Sequence, residues 1–302
     1  MKVQGWTWVV IAWAVSIGVS VGLTMIGAYG VVLFAFLPLV MGVLTDRTMP
    51  AGTTRRALIQ GAGTGAIGCL FFVLIGVEGL ICMAMALPLA VPLGILGSLL
   101  SFSVRVRGSS GRSAALLLLP FGLGSAAYDV AAVPALYEVT TSVEIAASPQ
   151  TVWQHVIAYT DMPEPTEWLF RTGVGYPRRV RLDGAGVGAT RYCDFSTGSF
   201  VEPITVWEPG RRLEFDVVAS PAPMREWSPY GDVQPVHLHG YFNSTKGRFV
   251  LRTLSNGRTL LEGTSWYQHG LEPGAYWRWW SDAIVHRIHR RVLTHLKQLS
   301  EA

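Results

Sequence analysis

Charge is what this 302-residue sequence has least of: 15% of its residues are Asp, Glu, Lys or Arg, while 50% are hydrophobic. A chain that apolar is not an ordinary soluble protein throughout, so the excess must be concentrated somewhere. Acidic residues are scarcest in the first part, where three Asp/Glu stand against seven Lys/Arg before Ala135, and seventeen of each follow it. The whole net charge of +4 therefore belongs to the first part. Its basic residues lie in short loops between apolar runs rather than along one surface stripe, which argues against nucleic acid as a partner. Cysteine is scarce as well. Cys69 and Cys82 sit in apolar runs and Cys193 stands alone, so neither a disulfide framework nor a cysteine metal site is expected.

What is present before Ala135 is length without charge. A hydrocarbon core takes roughly 20 helical residues to cross. The run from Trp6 to Thr45 is uncharged and long enough for two crossings, with Gly27, Tyr29 and Gly30 where a turn would fall. A loop with Asp46, Arg47, Arg55 and Arg56 follows, then a second apolar stretch from Ala57 to Val104 broken near Glu78, then a weaker segment from Ser113 to Ala132. The reading is a transmembrane region over 1–135 with about five helices, near 6–26, 28–45, 57–76, 80–104 and 113–132. Gly61, Gly63, Gly65 and Gly68 give the third helix small residues for close packing. Glu78 and Asp129 fall near helix ends and read as solvated interface positions.

The apolar N-terminus runs on too long for a signal peptide and shows no clear cleavage site. If five helices cross, Lys2 and both arginine loops share one side, which the positive-inside rule makes cytoplasmic. That reading describes an integral protein of a plasma or inner membrane, with the C-terminal domain outside the cytoplasm. If Ser113–Ala132 lies along the interface instead, the domain is cytoplasmic.

From Tyr137 the pattern changes to short strands and turns. A first strand (138–146) leads to Ser148-Pro149, an N-cap with proline at the first helical position, and a helix carrying Val152, Trp153 and Val156. Strands are expected at 178–182, 189–195, 200–207, 212–218, 236–242, 247–254 and 259–269, with short turns that imply an antiparallel meander. The last helix, 275–299, carries a stripe of Trp277, Trp280, Ile284, Ile288, Val292, Leu296 and Leu299 and is expected to cover the sheet.

The stretches VEIAASPQTVWQHV (143–156), GVGATRYCDF (186–195) and VEPITVWEPGRRLEFDV (201–217), in this order of elements, resemble the START-like or SRPBCC superfamily of polyketide cyclases and lipid-transfer domains. The resemblance covers 137–302. It implies a helix-grip fold, an antiparallel curved sheet wrapped round the long C-terminal helix, enclosing an apolar cavity for lipids, sterols or polyketides. The superfamily has no universal catalytic motif, so no catalytic residue carries over. The fold class is thus a multi-pass α-helical membrane region followed, over 136–302, by an α+β helix-grip domain.

Several residues stand out within that domain. Trp168, Phe170, Trp207, Trp266, Tyr267, Trp277 and Trp280 are a dense aromatic set suited to a large apolar pocket, although core packing absorbs part of it. Glu202, Glu262 and His269 fall within strands, where parity alone leaves open which point inward, and Arg191 is the candidate for oxyanion work. The segment 219–234, with three prolines, reads as a loop whose Met224, Trp227 and Tyr230 gate the cavity. His239 joins the candidate ligand set. His237 and His239 share a strand face, but His286 and His289 lie off the apolar stripe and should point elsewhere, so no metal is expected. Asp282, one turn before His286, has the spacing to orient a general base, though a solvated helix face is the better explanation. Gly184, Gly186 and Gly188 lie between two strands with no helix following, so they form a hairpin turn rather than a dinucleotide loop, and no cofactor is expected.

These readings converge on membrane-anchored binding or transport of a lipid or other hydrophobic molecule. The alternatives are a cyclase- or hydrolase-like enzyme on a hydrophobic substrate, and a sensor coupling ligand to the membrane helices.

Overall fold

The computed structural model describes residues 3–48, 52–108 and 111–302. The chain divides into two compact units. One holds the five N-terminal helices together with 226–237 and 271–275, and the other holds 134–225, 238–270 and 276–302. The expected domain boundary near 135 is therefore crossed twice by later sequence.

The helical unit contains α1 (Val3–Met25), a π-helical turn (Val32–Phe36) continuing into α2 (Leu37–Thr48), α3 (Thr54–Leu74), α4 (Leu80–Val106) and α5 (Gly111–Ala131). Among the described residues α3 and α4 are long and apolar enough to cross a membrane, and Val10–Met25 is a shorter apolar stretch. The π turn, closed by Leu37 N–H donating to the Val32 carbonyl, precedes Pro38, which has no N–H to give the Phe34 carbonyl. Thr53 caps α3 by accepting from the Arg56 N–H.

Two glycines set the approach of α3 to α4. A Cβ on Gly61 or Gly65 would lie 2.6 Å from the carbonyl oxygen of Gly94 or Ala90, while Gly63 and Gly68 face open space. Only the pair four residues apart packs. Gly61→Val should therefore cost about 1–3 kcal/mol of overpacking and lower the melting temperature of the detergent-purified chain, with Gly63→Val as the neutral control.

The acids of this unit are not solvated as expected. Glu78 is 1% exposed. Asp129 caps the π turn, accepting the N–H groups of Val31 and Val32 at 2.6 and 2.9 Å. Both replace water with protein donors, the condition for an acid leaving bulk solvent. Segment 226–237 is likewise no structureless loop: β6 (Glu226–Ser228) and β7 (Gly231–Val233) form a hairpin, and Tyr230 donates to the Leu74 carbonyl at 2.7 Å.

The second unit is built on β1 (Leu136–Ile145), α6 (Pro149–Ile157), α7 (Trp168–Arg171), β2 (Pro177–Asp183), β3 (Thr190–Phe195), β4 (Gly198–Glu208), β5 (Arg212–Asp216), β8 (Phe242–Thr253), β9 (Thr259–His269) and α8 (Gly274–Glu301). Its seven strands pair antiparallel in the order β1-β9-β8-β5-β4-β3-β2. An antiparallel sheet with a long C-terminal helix is consistent with the helix-grip fold that the sequence resemblance implies. Ser148 caps α6 through the Thr151 N–H with Pro149 at the first position, as the sequence indicates. Gly184, Gly186 and Gly188 all have positive φ in the β2–β3 connection, which is a turn.

The strand expected at 236–242 does not form. Pro235 precedes a single 3-10 turn (Val236–Leu238), and Gly240 turns the chain at φ +79°, so β8 begins only at Phe242. His237 and His239 consequently share no strand face. The core joins Ile145, Ile204, Leu213 and Leu261 of the sheet to Val152 and Val156 of α6 and Leu293 and Leu296 of α8.

Candidate functional site

The inner face of the sheet alternates as the pleat requires, presenting Leu261, Gly263, Ser265, Tyr267 and His269 from β9 toward α8. Three groups of polar side chains lie on it. The deepest is Arg191 of β3 paired with Glu202 of β4, cross-strand partners that are 3% and 5% exposed. The guanidinium lies 4.9 Å from the Phe215 ring centroid and 5.7 Å from that of Phe249, so aromatic faces as well as the carboxylate offset its charge. Tyr159 is buried beside Cys193, Arg191 and Glu202, and burial raises its hydroxyl far above the usual phenol range, leaving it a neutral donor. Arg191 Nε has no hydrogen-bond partner among the described residues, and the Tyr159 hydroxyl has only the weak Cys193 thiol beside it. In a close-packed interior such unmet capacity calls for an explanation.

Burial also pushes the Cys193 thiol up to about 12. Native protein should therefore leave Cys193 unmodified by an alkylating reagent at neutral pH and expose it only on unfolding, which peptide mapping before and after denaturant checks.

The second group joins β1, β9 and α8. Thr141 Oγ1 lies 2.8 Å from His286 Nδ1 and 3.2 Å from His289 Nδ1, and Ser265 Oγ lies 2.8 Å from His289 Nε2. The expectation that this histidine pair points away from the sheet is corrected: the buried line of α8 runs through Trp277, Val285, His289, Val292, Leu293, Leu296 and Ser300. Trp280, Ile284, Ile288 and Leu299 of the expected stripe are only half-buried. Hydroxyls on the sheet satisfy the imidazoles, which lets the helix turn a polar edge inward.

In the third group the Tyr267 hydroxyl donates to Asp282 at 2.5 Å, with Arg278 Nε at 3.2 Å from the same carboxylate. Asp282 therefore serves Tyr267 rather than orienting His286. Tyr137 stacks on His269 at 5.1 Å between ring centroids. At the strand ends nearby, a cleft of about 270 Å³ is lined by Pro134, His239, Gly240, Tyr241, Asn243, Gln268, His269 and Gly270. It brings His239 and His269 to one place, although at that volume it is smaller than typical ligand pockets of about 300–1,000 Å³.

The aromatic set does not converge on a single cavity. Phe170 is buried against Tyr176, and Trp207 packs edge-on to Trp153 in the core. Tyr267 and Trp277 are buried, Trp280 is half-buried and Trp168 is 69% exposed. Trp266 lies on the outer face, donating to Glu138 at 3.1 Å beneath Lys246 and Arg248. Glu262 is outward as well, paired with Arg252 at 3.0 Å. Trp227 and Tyr230 belong to the helical unit and Met224 is buried against Val174, so the three proposed gate residues are divided between the two units. Sequence reasoning missed Tyr159, His295 and Thr141. Tyr159 and His295 meet ring edge to face at 5.5 Å, a pairing of distant segments that no local pattern signals.

Residues 137–259 match the family model described as polyketide cyclase/dehydrase and lipid transport. That stretch is an SRPBCC-type domain. No curated protein matches the chain. Among solved structures, the chain is similar to the Zhui aromatase/cyclase from Streptomyces sp., at 18% identity over 55% of this chain and 94% of that one, with TM-score 0.36. A norcoclaurine synthase from Thalictrum flavum aligns at 11% identity over 56% and 96% with TM-score 0.35. The Aha1 dimer from Colwellia psychrerythraea aligns at 16% over 55% and 96% with TM-score 0.32.

Proposed function

We propose that the SRPBCC-type domain binds a hydrophobic molecule with a polar end, and that the N-terminal helices hold it at a plasma or inner membrane, outside the cytoplasm. The observation that supports this reading is the pairing, on the inner face, of a neutral Tyr159 hydroxyl and a partnerless Arg191 Nε with the rings of Phe215 and Phe249. A carbonyl, hydroxyl or carboxylate of a lipid-like molecule would accept from Arg191 Nε and offer Tyr159 a stronger acceptor than the Cys193 thiol, while its apolar body meets the aromatic and aliphatic lining. Tethering such a carrier beside the bilayer would let it exchange a lipid or lipid-like molecule with the membrane.

A photoactivatable diazirine lipid, added to membranes containing the full chain, tests this. Adducts on peptides from β3, β5, β8 or β9 support the reading, and labelling confined to 54–106 rejects it. Protease treatment of intact cells and of inverted vesicles tests the side: the domain should be cut only from outside.

A cyclase-like activity is favoured by one observation, the protonated Tyr159 beside Glu202. Loss of turnover in Tyr159→Phe with ligand binding retained would identify it as a proton donor.

A further inference from the structure

Three side chains of metal-ligand type, distant in sequence, meet inside the helical unit. Cys82 in the first turn of α4, Glu226 of β6 and His237 of the 3-10 turn are all buried, and their donor atoms lie within 4.8 Å of one another. Cys82 Sγ is 2.8 Å from His237 Nε2.

Each is oriented by its neighbours. The two oxygens of Glu226 accept the backbone N–H groups of Ile81 and Cys82 at 3.0 and 2.8 Å, which fixes the carboxylate at the start of α4. Any side chain at Gly79 would come within 2.6 Å of Glu226 Cδ, so glycine is required for this approach. On the far side of the imidazole, His237 Nδ1 lies 3.4 Å from Glu78 Oε2, and Glu78 Oε1 accepts from the Tyr29 hydroxyl at 2.6 Å. A carboxylate behind a histidine is how metal-binding imidazoles have their tautomer and ring orientation fixed.

Charge points the same way. Glu78 and Glu226 are 1% and 0% exposed. Among the described residues His237 is the ion-pair partner of Glu78, and no Lys or Arg pairs with Glu226. Burying two carboxylates beside a thiol costs several kcal/mol per ion unless a cation compensates. One sulfur, one imidazole nitrogen and one carboxylate are a zinc-type set.

We propose that Cys82, Glu226 and His237 bind a zinc ion, with Glu78 and Tyr29 as positioning residues and the fourth position open to water. The ion then ties the 226–237 hairpin to α4. This site is independent of the ligand reading for the SRPBCC-type domain, and either stands if the other fails.

The full chain, purified in detergent without a metal-affinity step, loaded with zinc and passed over a chelating column, should carry about one zinc per chain. Cys82→Ser and His237→Ala should carry less than about a tenth of that, and Glu78→Gln should bind zinc about 10–100-fold more weakly. Cobalt(II) in the wild-type chain should give the intense visible bands of a tetrahedral site and a near-ultraviolet thiolate charge-transfer band. Wild-type zinc content no higher than that of Cys82→Ser, or a wild-type cobalt spectrum without the thiolate band, overturns the proposal and leaves a thiol–imidazole hydrogen bond. The cobalt spectrum decides even where a variant fails to fold.

Discussion

Arg191→Met should destabilise the SRPBCC-type domain by about 3–5 kcal/mol, because it leaves the Glu202 carboxylate buried without its cation. The two side chains are cross-strand partners with almost no water contact, so solvent cannot take over the lost charge. The double variant R191M/E202L removes both charges and keeps apolar volume, and its stability should return to the wild-type value or exceed it. Denaturant melts of the full chain followed by tryptophan fluorescence read both numbers. A double variant as unstable as the single one would show that the pair is held for packing rather than charge. A stable double variant is also the right tool for the proposed function, because it tests ligand binding by this pair apart from folding.

Acidification should produce the second large effect. His289 is pushed down to about 4, chiefly by burial and then by His286. An unfolded histidine takes up its proton near pH 6.5, whereas this one, folded, resists until about 4. The neutral form is therefore stabilising in full above pH 6.5, and that contribution, on the order of 3 kcal/mol, is lost as the pH falls toward 4. Burial lowers His295 in the same direction, so the effects have one sign. His289→Gln, which preserves hydrogen bonding toward Thr141 and Ser265, should flatten the stability profile between pH 6.5 and 4. An unchanged slope would mean that His289 is hydrated in the folded state.

The antiparallel sheet and its covering helix were legible in the sequence because they rest on local periodicity: Leu213 and Phe215 face inward, and Ser148-Pro149 starts α6. The phase of α8 was not. Its stripe looked apolar through Ile284 and Ile288, but hydroxyls at Thr141 and Ser265 gave His286 and His289 partners and rotated the buried line toward them. Parity could not rank Glu202 against Glu262, since alternation alone does not say which face of a strand is covered, and the register break at Ile204/Val206 in β4 resets the alternation just after Glu202. The return of 226–237 to the helices was invisible for another reason. Glu226 bonds to backbone 144 and 145 residues away, and such a contact leaves no periodic trace.

Those two outcomes locate the candidate site differently from the aromatic inventory. Of the residues singled out in advance, Arg191 and Glu202 meet each other, and His239 and His269 share the cleft. Trp168, Trp266 and Glu262 face outward, Trp266 bonded to Glu138 and Glu262 paired with Arg252, rather than lining the grip interior. The polar anchor, not a ring of tryptophans, is the feature that distinguishes this interior from plain core.

The most direct test is native mass spectrometry with lipid extraction on the full chain, purified from its own membrane, beside R191M/E202L prepared identically. The account predicts a hydrophobic molecule bound in about one-to-one stoichiometry by the wild type and lost from the folded double variant. Equal amounts of the same lipids on both proteins, as expected for a detergent belt alone, would contradict it.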